Sequence, residues 1–133
     1  MRVSSTGLLR VMLAAALCGW MLTPALATDQ AGVRRCGWFE NPTPGNATLT
    51  DRDGEWEIAS QGGHQADGDW PRFSDAQWVE TNGHHGYGCA CMTVIDDDQA
   101  HTVSISKATA RPLAVCRSDR HLPEPVHELD DEN

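Results

Sequence analysis

His84-His85-Gly86-Tyr87-Gly88-Cys89-Ala90-Cys91-Met92, the stretch HHGYGCACM, gathers two histidines, two cysteines and a methionine in nine consecutive positions. In an extended strand, residues two apart share a face, so Cys89 and Cys91 project the same way. A direct bond between them would close a strained small ring, and each is expected to reach a different partner, Cys36 or Cys116. Two bridges would then tie an early arm and a late segment to one central strand, with the pairing left open by the sequence. Metal is the rival reading. His84, His85, Cys89, Cys91 and Met92 are soft or borderline ligands that suit copper or zinc. Cys-x-Cys is tighter than structural zinc spacing, however, and adjacent histidines on a strand point apart. A redox-active dithiol favours two intervening residues.

The disulfide reading agrees with the start of the chain. Arg2 and Arg10 precede an apolar run from Val11 to Leu22, too short for a retained span, and Ala25-Leu26-Ala27 has the small residues of a cleavage site. Residues 1–27 are therefore expected to be a secretory signal and the protein to be periplasmic or secreted. Cys18 is a poor lipid-attachment site because Leu17 precedes it. Cleavage takes 27 of 133 residues and leaves 106, enough for one small domain. Cys36, Cys89, Cys91 and Cys116 remain, an even number in a short exported chain. The net charge of −9 becomes −11 once Arg2 and Arg10 are gone. Such acidity opposes nucleic acid and anionic lipid, and no second apolar run is long enough to span a membrane.

From 28 to 35 the chain reads as a flexible lead-in, followed by a single β-rich domain over 36–117. CGWFENPTPGN (Cys36–Asn46) cannot be helical around Pro42, Pro44 and Gly45. ATLTDRDGEWEIAS (Ala47–Ser60) holds two alternating runs about Asp53-Gly54, a hairpin signal, with Trp56 and Ile58 sharing a face. QGGHQADGDWPRFSD reads as a long loop pinned by Trp70 and Phe73. Further strands are expected in AQWVETNG, YGCACMTVIDDD and HTVSISKA, whereas RPLAVCR, with Cys116, is a helical turn or a last strand. From Ser118 to Asn133 prolines and acids predict a disordered tail. Strands of five to eight residues and no helical period give a mainly β fold, a small antiparallel sandwich or open barrel stapled by two disulfides.

Chemistry beyond the sulfurs is sparse. DRDGEWE and DGDW resemble calcium loops, but Gly54 arrives too early for that pattern. Glu40, Glu57 and Asp69 are carboxylates of a conceivable acid–base pair, yet spacing singles out no two of them. No nucleophile elbow, metalloprotease helix or phosphate loop is present. Trp38, Trp56, Trp70, Trp78 and Tyr87 are candidates for an aromatic surface facing a glycan or a protein, core packing being their plainer role. Asn46-Ala47-Thr48 is a glycosylation sequon where the host uses one.

CGWFENPTPGN, DRDGEW, QGG, GDWP, TNG and YGCACM, in that order, resemble a family of small exported bacterial proteins called domain of unknown function 4087, over Cys36 to about Arg117. The resemblance implies a signal-bearing, cysteine-containing bacterial domain and no particular activity. Bulky aromatic residues often follow PGN in that pattern, where this chain has Ala47-Thr48. Together these readings predict a monomeric, non-catalytic binding or inhibitory module of the bacterial envelope, without cofactor, that captures a basic envelope protein or a glycan. A copper- or zinc-binding envelope protein and an unrecognised hydrolase are the alternatives.

Overall fold

Alternating runs become strands in the order β1 (Val33–Thr43), β2 (Asn46–Thr50), β3 (Glu55–Ala59), β4 (Trp78–Asn82), β5 (His85–Asp96) and β6 (Thr102–Arg111), followed by the short helix α1 (Leu113–Arg117). The computed structural model describes residues 31–126, so the signal expected over 1–27 lies outside them. All strand pairings are antiparallel, in the order β3-β2-β1-β5-β4. The long strand β5 meets β1 along one edge; its other edge is shared by β4 near Gly88 and by β6 from Cys89 onward.

The sheet curls toward a barrel without closing as one. Single bridges, Glu57 to His101, Ala59 to Gln65 and Asp67 to Ser104, bring the β3 side round to β6. Of the two architectures expected, the open barrel is the one found. Ile58 O accepts from Ala66 N–H at 2.9 Å and Asp67 O from Ile105 N–H at 2.7 Å, so the segment after β3 satisfies backbone groups that an open seam would leave bare.

Parity of side chains along each strand separates two hydrophobic clusters. Inside the barrel pack Phe39, Leu49, Ile58, Ala90, Met92, Val94 and Ile105. On the outer face of β1 and β5, Trp38, Tyr87 and Cys89 are covered by Cys116 and Leu122. Trp38 is fully buried there and its Nε1–H donates to Leu122 O at 3.1 Å. Tyr87 packs edge-on against Trp38 with centroids 5.4 Å apart, and its hydroxyl donates to Glu124 at 2.8 Å.

This cover differs from the tail expected after Ser118. The described residues to Val126 lie on the sheet because Leu122 fills the gap over Trp38, while Arg117 holds Glu124 at 2.8 Å; residues 127–133 fall outside the described part. The lead-in differs likewise, since β1 begins at Val33 and Arg35 is already fixed within it.

Both bridges terminate on β5. Cys36 and Cys91 stand directly opposite across β1 and β5 and are bonded, and Cys89 is bonded to Cys116 of α1. The first joins neighbouring strands; the second fastens the helix and the segment behind it over Trp38. Each closes a loop of tens of residues, with sequence separations of 55 and 27, and stabilises the fold by about 2–4 kcal/mol.

Candidate functional site

The ends of the barrel are built from similar residue types put to different use. At one end the start of β1, the turn between β2 and β3, and the end of β5 converge. Asp51 first organises its own turn: its Oδ1 accepts N–H bonds from Asp53 at 2.9 Å and Gly54 at 3.1 Å, the short-range capture that suits Asp to turns. The same carboxylate accepts from Trp56 Nε1–H at 3.1 Å and from Arg35 at 2.9 Å. Arg35 also donates to Asp96 at 2.6 Å, and its guanidinium lies 3.4 Å from the Trp56 ring centroid. Thr102 Oγ1–H completes the group by donating to Asp96 at 3.0 Å.

Burial alone would lower the Arg35 pKa, but bonds to Asp96 and Asp51 outweigh it and the net shift is upward. Burial pushes Asp51 the other way, toward the neutral acid; bonds from Trp56 and Arg35 again prevail and lower its pKa. The cluster is thus a satisfied ionic plug. The two aspartates of DRDGEWE thus face a cation supplied by the chain itself, Arg35, at 2.9 Å from Asp51 and 3.5 Å from Asp53.

The opposite end is open. Phe39 forms the floor of a cleft of about 670 Å³ whose walls include Trp70, Phe73 and Trp78. Phe73 and Trp78 have centroids 4.9 Å apart, and Phe39 lies 5.7 Å from Trp70, edge to face. The segment 68–77 places two of these rings over the mouth, and Gly88 makes room for them: a Cβ there would stand 2.5 Å from Phe73 Cε1. A short 3-10 turn, Asp75–Gln77, is set by a reciprocal cap in which Gln77 Oε1 accepts from Ser74 N–H at 3.1 Å. It leaves Asp75 on the rim with Glu80 and His84, with Asn41 lining the same cleft. Trp78 Nε1–H donates to His84 O at 3.2 Å, which fixes that ring beside the Gly83 turn. Glu80 and His84 are solvent-exposed and 3.9 Å apart. Across Trp70 lies a second groove, bordered by Asp69, Arg72, Gln77 and β6 from Ile105 to Ala110.

Of the aromatic candidates read from the sequence, Trp70 and Trp78 reach the cleft. Trp38 and Tyr87 are in the outer cluster and Trp56 is under Arg35. Phe39, Asn41, Asp75 and Glu80 belong to the site without having been singled out. The candidate metal ligands are dispersed: Cys89 and Cys91 are in disulfides, Met92 is inside the barrel, and His84 is at the mouth. His85 begins β5 with its Nδ1 buried and without a partner in the structure. Among the described residues no group of three or more His, Cys, Asp or Glu is arranged to hold a metal ion. The three conceivable catalytic carboxylates are equally scattered. Glu40 is on β1, Glu57 is 3.8 Å from His101 at the seam, and Asp69 borders the second groove. Asn46 of the sequon is engaged on both sides of its amide, donating to Thr43 Oγ1 of its own turn at 2.6 Å and accepting from Gln61 N–H, beyond β3, at 2.8 Å.

These features define a small disulfide-braced open β-barrel with one plugged and one aromatic end. The chain belongs to the family described as protein of unknown function (DUF4087), which matches residues 30–123 and so includes the Leu122 cover as well as the strands. No curated protein and no solved structure matches it. No described helix is long and apolar enough to cross a membrane.

Proposed function

We propose that this chain is an exported, non-catalytic binding module of the bacterial envelope that holds a basic protein, for instance an envelope-attacking hydrolase, at the open mouth of its barrel. The observation that carries this reading is the mouth itself: a concave aromatic cleft with a few polar groups on its rim, at a position where small barrels take ligands. The net charge of −9 favours approach of a basic partner. Disulfides and a signal-like start support export.

A photo-crosslinking residue in place of His84, on the rim, tests the proposal in cells producing the full chain, with the same residue at exposed Val103 as control. A basic protein captured at 84 and not at 103 supports it. Capture at neither position, or equally at both, overturns it.

A further inference from the structure

We infer that the mouth is built to receive a guanidinium group, an arginine side chain of the partner, laid on Trp70 or Trp78 and met by Asp75 and Glu80. This rests on the binding-module reading and names the chemistry of its ligand. The argument comes from the other end of the same barrel. There Trp56 offers a ring face at 3.4 Å, and Asp51 and Asp96 accept at 2.9 and 2.6 Å, all directed at the guanidinium of Arg35. The mouth combines the same residue types, two tryptophans and two carboxylates, but no arginine or lysine is among its lining residues.

A planar, weakly hydrated guanidinium suits such a place better than an ammonium does, because it stacks flat on an indole while its edge N–H groups reach carboxylates. An anion would meet Asp75, Glu80 and the acidic chain as a whole. Exposed carboxylates alone hold an arginine weakly in water; the concave aromatic wall displaces part of that water and strengthens the attraction.

Titration of the full chain with blocked peptides containing one arginine, one lysine or one citrulline, followed through the indole N–H resonances, tests this. Citrulline keeps the shape of arginine and lacks its charge. The arginine peptide is expected to shift Trp70 and Trp78, leave the buried Trp38 unmoved, and bind about tenfold more tightly than the citrulline peptide. The Asp75→Asn/Glu80→Gln double variant should erase that preference. Equal binding of arginine and citrulline, an arginine preference that survives in the double variant, or mouth shifts produced only by a neutral β-linked amino-sugar oligomer would overturn the guanidinium assignment. Should no peptide bind while crosslinking at position 84 persists, the ligand assignment falls and the module reading stands; loss of both removes both.

Discussion

Both ends of this barrel bring indole and carboxylate together, yet one end contributes to folding and the other is left for something outside the chain. The difference is the supply of positive charge. Arg35, with 11% of its side chain exposed, pairs with both Asp51 and Asp96, exposed by 7% and 9%, and neutral donors from Trp56 and Thr102 share the remaining negative charge, so the three groups can leave water together. Glu80 and His84 keep 65% and 102%, and nothing at the mouth forces their desolvation. Buried ionic groups are held by mutual need, whereas exposed ones contribute little to stability and remain available.

Removing the plug cation should have the largest effect. Arg35→Ala leaves two buried carboxylates without their partner and is expected to lower unfolding free energy by about 3–5 kcal/mol. A loss below about 1 kcal/mol in urea titration would mean that the plug behaves like a surface pair, and the contrast between the ends would vanish. Next comes Gly88→Ala, whose Cβ would collide with Phe73 and with Gln77 O at 2.7 Å. A loss of about 1–3 kcal/mol is expected, with tryptophan fluorescence altered at the mouth.

Acid should then distinguish the ends more gently. The pKa of Asp51 is lowered on folding, so the stability it contributes is complete above its ordinary value of 3.8 and is lost as pH falls through the lower folded value. Asp51→Asn should therefore flatten the acid limb of the stability profile; an unchanged limb would assign acid unfolding to other carboxylates. Smallest of all, the Asp75→Asn/Glu80→Gln double variant should leave stability within about 0.5 kcal/mol of the parent, measured in the same urea titration. A larger loss would make the rim structural and bring the two ends closer in kind.

The strands were legible because their signals are local. Trp56 and Ile58 alternate with acids around an Asp-Gly turn, and Cys89 and Cys91 point one way because one residue separates them. The plug was not legible: no local signal marks Arg35, and its carboxylate partners lie 16 and 61 residues away. The mouth is assembled from β1, the 68–77 segment, β4 and the turn after it, so no window of sequence contains it. Leu122, a single apolar residue among prolines and acids, gave no periodic signal, yet it covers Trp38. Local pattern reveals an element, whereas the meeting of distant elements depends on curvature that no short run encodes.

The position of both cysteines on β5 has a consequence for biogenesis. In a chain that emerges amino end first, Cys36 encounters Cys89 before its native partner Cys91 arrives, and Cys116 comes last. Two residues emerge faster than a disulfide forms, so Cys36 can close the wrong ring to Cys89 as readily as the native one, and thiol exchange would then have to move the bond along the strand before Cys116 can find its mate. Maturation should accordingly be more sensitive to a disulfide isomerase than to the oxidising power around it.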